Sequence, residues 1–323
     1  MSKPKVIVTR KWPAAVEEKL KEHFDVQLNE DDIPMTTEQL QQALRTADAV
    51  CTTVSDSISA EVLSAEPMNA KILGNFGVGF NHIDLGAAKQ NDLVVTNTPE
   101  VLTDCTADTA MTLMLMVARR AGEGERQVRN KQWTGWRPTH MMGTKVTGKT
   151  LGLIGMGRIA RAMAHKAYHG FGMKIIFSDP YPPPEDVVDS LNAVARDSVD
   201  EVLQEADFVS LHCPGGKETY HLINSERLAL MKPAAFLINS ARGDVIDLSA
   251  LIKALNGGTI AGAGLDVFEG EPAVPDALLA MENVVLFPHL GSATIETRVE
   301  MGMRVIENIK AFFDGDEPRD RVV

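Results

Sequence analysis

Cysteine is scarce in this chain: three residues in 323, Cys51, Cys105 and Cys213, none of them in a C-x-x-C pair. The odd count and wide spacing argue against a disulfide framework and against a thiolate zinc site, and point to a reducing compartment, the cytoplasm. Long apolar runs are missing as well. The longest, Ala110 to Ala118, is nine residues, whereas a membrane-spanning helix takes about 20. The opening MSKPKVIVTR passes straight into a strand-like segment with no apolar h-region, so no secretory leader is expected. Basic charge is not in excess: 32 Lys and Arg against 44 Asp and Glu give a formal net charge of -12. That anionic balance disfavours a nucleic-acid partner and an anionic membrane surface. It leaves open a small anionic substrate, which answers to local charges. There is no repeat of fixed short period and no low-complexity segment.

What the chain has is the balance of a globular protein, 44 % hydrophobic and 24 % charged, over a length comfortable for two domains. Short apolar runs recur at 5–9 (KVIVT), 24–28 (FDVQL), 48–53 (DAVCTT), 71–74 (KILG) and 93–96 (LVVT). Helix-patterned stretches such as AAVEEKLKEHF lie between them. A second series follows at 151–154, 174–177, 207–211, 235–239, 261–267 and 284–287, and it is nearly all apolar, as strands buried on both faces should be. Strand–helix alternation of this kind predicts doubly wound parallel sheets of the α/β class. The run TDCTADTAMTLMLMVARR between the series reads as one long bridging helix, and TIETRVEMGMRVIENIKAFF as a closing helix that returns to the first domain. The expected division is therefore 1–100 plus 290–323 for one domain and 101–289 for the other, with ligand binding in a cleft between them.

The second series opens with a glycine turn. In LIGMGRIA, Gly155 and Gly157 follow an apolar strand and open a helix, with Ala160 at the third small position. This is a dinucleotide-binding fingerprint: the first glycine for the tight turn, the second for backbone approach to a pyrophosphate, the third for helix–strand packing, with helix N–H groups facing the phosphates. The next strand ends at Asp179, 19 positions after Ala160. A carboxylate there accepts from ribose hydroxyls and repels a 2′-phosphate, which favours NAD(H) and leaves NADP(H) as the alternative.

Three later strands end in polar segments: FLINSARGDVID with Arg242, LDVFEGEP with Glu271, and LFPHLGSAT with His289. Carboxyl ends of parallel strands form the crevice of such sheets, so these three side chains are expected on the edge that carries the glycine turn. A nicotinamide supplies the hydride. A guanidinium matches a carboxylate two-pronged, an imidazole transfers protons near neutrality, and a carboxylate beside it orients the ring and raises its pKa. Anchor, acid and orienter are the parts needed to reduce a 2-keto acid.

Taken with GVG (77–79), TPEVLTDCTAD (98–108), GMGRIA (155–160) and GAGLDVFEGEP (262–272), these segments resemble the D-isomer-specific 2-hydroxyacid dehydrogenases over essentially the whole chain, and most of all the glyoxylate and hydroxypyruvate reductase branch. The resemblance implies a Rossmann-type NAD domain, a flavodoxin-like substrate domain and a homodimer. It implies that Arg242 binds the substrate, that His289 paired with Glu271 is the acid/base, and that the backbone of Val78 and Gly79, with Ser292 nearby, holds the substrate carboxylate. Thr106, Arg158, Ile159, Asp179, Cys213, Ala241, Asp266, His289 and Gly291 then match dinucleotide-contacting positions. Some members of that branch have a basic residue where this chain has Asp179 and prefer NADP.

Other features carry less. His165 and His169 have metal-compatible spacing but lack the Glu of H-E-x-x-H, and no metal is expected. His82 lies near the Val78–Gly79 loop and reads as structural. The methionines of 111–116 read as adaptable packing, PYPPPED (180–186) as a rigid turn beside the adenosine site, and WTGWRP (133–138) as an arm packed on the partner subunit, with the alternative that Trp136 or Arg137 reaches the neighbour's cleft and shapes substrate choice. An NADH-sensing corepressor-like binding protein of the same fold is the alternative function. Formate oxidation is disfavoured because relatives of that type pair the histidine with an amide where Glu271 stands here.

Overall fold

The strands are short because each crosses a sheet only once between helices. A computed structural model describes residues 3–323; Met1 and Ser2, the start of the segment read for a leader, lie outside the described residues. The chain divides into two compact units, one made of residues up to Leu102 together with Ala293–Val323, the other of Thr103–Ser292.

In the first unit, β1 (Lys5–Val8), β2 (Asp25–Gln27), β3 (Ala49–Thr53), β4 (Ile72–Phe76) and β5 (Val94–Thr96) form a parallel sheet in the order β2-β1-β3-β4-β5, the flavodoxin-like winding. The helix Thr37–Thr46 shows how the sequence starts such elements: the Thr36 hydroxyl accepts from the Gln39 amide while the Gln39 side chain caps Thr36 in return. The closing helix Ile295–Asp314 packs on β4 and on the helix Ala14–His23. Beyond it the chain end covers the exposed side of β5, with Val322 donating to the Val95 carbonyl at 2.7 Å, so that edge offers no open ladder. A buried ionic group ties the end down. Arg304 Nε lies 3.3 Å from Asp320 Oδ2, and both side chains are less than a tenth exposed. Asn308 donates to the same carboxylate oxygen at 3.0 Å.

In the second unit, β6 (Thr150–Ile154), β7 (Lys174–Ser178), β8 (Val194–Ala195), β9 (Phe208–Leu211), β10 (Phe236–Asn239), β11 (Gly262–Leu265) and β12 (Val284–Leu286) form a parallel sheet in the order β12-β11-β10-β9-β6-β7-β8. Counted from β6, this is the Rossmann order 3-2-1-4-5-6 with one strand added. The central strands are buried throughout, which is why they read as uniformly apolar. β8 has no such signal: both of its residues are exposed, and the sequence reading passed over it. The expected bridging helix is present over Thr103–Ala118, within two residues of its expected end. Its apolar face runs from Thr103 to Ala118, Arg120 turns left-handed at φ 52°, and a separate polar helix, Ala121–Arg129, follows. The chain also returns to the first unit after Ser292, three residues later than expected, because the Leu290 and Gly291 amides are held by Asp266 of the second unit.

Replacing Asp320 with Ala would take the buried carboxylate from Arg304 Nε and from the Asn308 amide, leaving Glu100 on Arg304 Nη2 at 3.2 Å. The expected loss is about 3 kcal/mol of stability, read as a lower urea midpoint at unchanged slope, with Asp320→Asn affected less.

Candidate functional site

Six strand ends of the second sheet carry almost all the residues that the sequence singles out. Gly155, Gly157, Arg158 and Ile159 follow β6, Asp179 follows β7, and Cys213 follows β9. Ala241 and Arg242 follow β10, Asp266 and Glu271 follow β11, and His289, Gly291 and Ser292 follow β12. Thr106 comes from the helix Thr103–Ala118 and meets Gly291. Winding reverses between β6 and β9, and crevices in open α/β sheets lie outside the strand ends at such a point.

The glycine turn sits at that reversal. Gly155 has φ +89°, and a Cβ there would come 2.9 Å from the Cys213 nitrogen, so the crossing admits no side chain. Gly157 differs. Its φ of -69° suits any residue, and a Cβ would meet nothing within 4 Å. No protein atom requires glycine there. The open space lies at the N-terminus of the helix Arg158–Phe171, which has no side-chain cap, and an anionic phosphate fits such a position. Ala160 is fully buried, as the third small position demands. Asp179 is held in the turn, accepting from the Met156 amide at 2.6 Å and the Tyr181 amide at 2.7 Å. These residues fit a dinucleotide. Behind them His212, not singled out by sequence, is pushed by burial down to about 4 and is bonded to the Ser210 hydroxyl at 2.9 Å; a ring neutral at pH 7 is a packing element here. Burial raises the Cys213 thiol to about 11, so it is no thiolate nucleophile.

Three loops bring His289, Glu271 and Arg242 to one edge. His289 Nδ1 lies 2.8 Å from Glu271 Oε2, and Glu271 Oε1 accepts from the Phe268 amide at 2.9 Å. Burial works to raise the Glu271 carboxyl. The hydrogen bonds from His289 and Phe268, with the charges of His289 and Arg242, outweigh it and hold the group below its ordinary value. His289 itself is left-handed at φ 56°, its amide donating to the Asp266 carbonyl at 2.9 Å. Asp266 is 1 % exposed, and its two oxygens accept from the Leu290 and Gly291 amides at 2.6 and 2.8 Å. Burial drives this carboxyl above its ordinary value against those bonds. Burial likewise lowers the Arg242 guanidinium, opposed by Glu271 and Asp244; a guanidinium stays charged regardless.

Two residues that position Arg242 escaped the sequence reading. Asn239, the buried last residue of β10, accepts from the Ala241 amide at 3.0 Å and donates to the Arg242 carbonyl at 2.8 Å. Gly243 abuts the next loop so closely that a Cβ would lie 1.9 Å from the Phe268 carbonyl carbon. A polar residue ending an otherwise apolar strand, and a glycine inside SARGD, were the available signals.

In the first unit, the loop after β4 is tied down by its carbonyls. Gly77 accepts from the Thr98 amide and from Asn75 Nδ2, both at 3.0 Å, Val78 from Asn97 Nδ2 at 2.8 Å, and Gly79 from Asn75 Nδ2 at 3.0 Å. His82 lies beside it, bonded to Asn75. The His165 and His169 rings lie tilted with centroids 4.5 Å apart, and among the described residues no group of three or more metal-ligating side chains occurs. Trp136 is 83 % exposed. No described helix is long and apolar enough to cross a membrane.

A family model described as the D-isomer specific 2-hydroxyacid dehydrogenase NAD binding domain matches residues 111–291. The chain is 46 % identical over 320 residues to a glyoxylate reductase of Thermococcus onnurineus, covering 98 % of this chain and 95 % of that one. It is 45 % identical to a glyoxylate reductase of Korarchaeum cryptofilum, covering 99 % and 96 %. Among solved structures, an NADPH-dependent glyoxylate/hydroxypyruvate reductase of Sinorhizobium meliloti, in complex with NADP and malonate, superposes with a TM-score of 0.89 at 34 % identity, covering 100 % of this chain and 97 % of that one.

Because Glu271 is depressed in the folded state, the stability it contributes is fully present above its unfolded value of 4.5 and is lost as pH falls through the folded value. Glu271→Gln removes that contribution. The melting-temperature gap between wild type and Glu271→Gln should widen from pH 3 to 5 and stay flat above.

Proposed function

The chain belongs to the D-isomer-specific 2-hydroxyacid dehydrogenase family, and from that premise we propose that it reduces a small 2-keto acid of the glyoxylate or hydroxypyruvate type to the D-2-hydroxy acid, with NADH as the preferred reductant. The observation that carries this reading is the trio Arg242, Glu271 and His289, with His289 Nδ1 held 2.8 Å from Glu271 on the sheet edge that bears the glycine turn. Steady-state NADH oxidation with keto acids separates this reading from a corepressor-like binding protein of the same fold.

Gly155, Gly157, Arg158, Ile159, Asp179, Cys213, Ala241, Asp266, Gly291 and Thr106 are the residues we assign to the dinucleotide, which when bound supplies the hydride. Glu271 fixes the His289 ring through Nδ1 and leaves Nε2 to carry the transferable proton. His289 gives that proton to the keto oxygen as C2 is reduced and takes it back in the oxidative direction. Arg242 pairs with the substrate's carboxylate and polarises its carbonyl, and Asn239 holds its backbone through the Arg242 carbonyl. The amides of Val78 and Gly79 hold the carboxylate, with Ser292 assigned beside it.

The preference for NADH rests on Asp179, already fixed by two amides, whose charge would oppose a 2′-phosphate. A homodimer and a cytoplasmic location complete the proposal; light scattering and fractionation test them.

Initial rates with glyoxylate, hydroxypyruvate, pyruvate and an aromatic keto acid, each with NADH and NADPH, test the assignment. The two small acids with NADH should be fastest, and Asp179→Ala should narrow the gap between the two coenzymes. His289→Ala should lose roughly 10²–10⁴ in turnover while NADH binding, followed by fluorescence, persists. Arg242→Ala should lose roughly 10²–10³ in kcat/KM. An active His289→Ala enzyme would remove the mechanism.

A further inference from the structure

Asn75 and His82 are outside the residues assigned above, yet they control the backbone that has been given the substrate's carboxylate. Asn75 is fully buried. Its amide reaches two carbonyls, Gly77 and Gly79, both at 3.0 Å. Carbonyls only accept, so the atom facing them must be Nδ2, with both of its hydrogens used. Oδ1 is thereby turned to His82 Nε2, 3.0 Å away. An amide oxygen cannot donate, so Nε2 must carry a hydrogen. The His82 backbone is itself held, its carbonyl accepting from the Ile58 amide at 2.8 Å.

The consequence falls on the loop. The carbonyls of Gly77, Val78 and Gly79 are all engaged by Asn75, Asn97 and Thr98. The loop's peptides are trans, and across a trans peptide the N–H points opposite to the preceding carbonyl. The Val78, Gly79 and Phe80 amides are therefore turned away from the groups that hold those carbonyls. Consecutive amides aimed the same way make an anion site from backbone alone.

We propose that Asn75, oriented by His82, is a positioning residue for substrate recognition: its hold on the Gly77 carbonyl aims the Val78 amide at the α-carboxylate of the keto acid, beside the Gly79 amide, which Asn97 aims through the Val78 carbonyl. The inference rests on the carboxylate role proposed for those two amides. It places selectivity for an acid over an aldehyde or a ketone partly in two side chains that themselves need not touch the substrate.

The test is steady-state glyoxylate reduction by wild type, Asn75→Asp, His82→Leu, His82→Gln and Val78→Pro, with ¹⁵N NMR of the His82 ring in the wild-type protein. Aspartate has no hydrogens for the two carbonyls. Asn75→Asp should raise KM for glyoxylate roughly ten- to a hundredfold, the loss of one amide bond to a charged group. Its kcat and its KM for NADH should stay within about threefold, because no bond to the reacting atoms is removed. His82→Leu should raise the same KM, and His82→Gln, whose amide nitrogen reaches the Nε2 position, should restore it. The neutral His82 ring should carry its hydrogen on Nε2. A wild-type KM in Asn75→Asp, a loss confined to kcat, a glutamine variant as impaired as the leucine variant, or a ring protonated on Nδ1 alone would overturn the proposal. If Asn75→Asp does not fold, the His82 pair and the ring proton decide. Val78→Pro removes one of the two amides: an unchanged KM there sinks the underlying carboxylate assignment, whereas a raised KM in Val78→Pro with none in Asn75→Asp sinks the positioning role alone.

Discussion

Everything at the carboxyl edge of the second sheet depends on one close approach, that of Gly243 to the peptide joining Phe268 and Glu269. No side chain fits between them. Because the loops after β10 and β11 touch backbone to backbone, Arg242 on the first acts electrostatically on Glu271 on the second, and Glu271 in turn meets His289. Widening that gap by a methyl group would move Arg242 away from Glu271 and His289, and displacements of about 1 Å are enough to cost two orders of magnitude in a reaction that depends on alignment, as the proposed one does.

The functional side chains are held by others that do no chemistry. Asn239 spans the turn under Arg242, and Asp266 takes both amides that follow His289. Each uses a buried polar group to fix a loop where no ladder of strand bonds is available, which is why both are buried and fully engaged. The electrostatics follow from this. Glu271 is held ionised by the donors around it although burial opposes it, which suits it to the orienting role proposed for it beside the His289 imidazole.

The first unit uses the same principle on a smaller scale. Its loop after β4 has no charged group among residues 77–79, and the carboxylate role proposed for it rests on how its peptides are turned. Asparagine suits the task because one amide offers two donors and one acceptor in a fixed plane, and a neighbouring donor such as His82 settles which way that plane faces.

Much of this was legible in the sequence. Both sheets declared themselves through apolar runs of strand length, and the glycine turn, Asp179, Arg242, Glu271 and His289 declared themselves by residue type at strand ends, because such ends in a parallel sheet share one edge. What stayed hidden depends on contacts between segments far apart in the chain. β8 had no apolar face to advertise it. The helix Ala121–Arg129 buries no residue, so no apolar face marks it. Gly243, Asn239 and Asp266 hold loops through distances that pattern does not encode. Composition and local pattern by themselves determined the class of fold, the kind of cofactor and the types of group that do the chemistry, since these follow from burial and from chemical necessity. Only the tertiary structure decided which oxygen faces which nitrogen, because hydrogen-bond direction is set by packing in three dimensions.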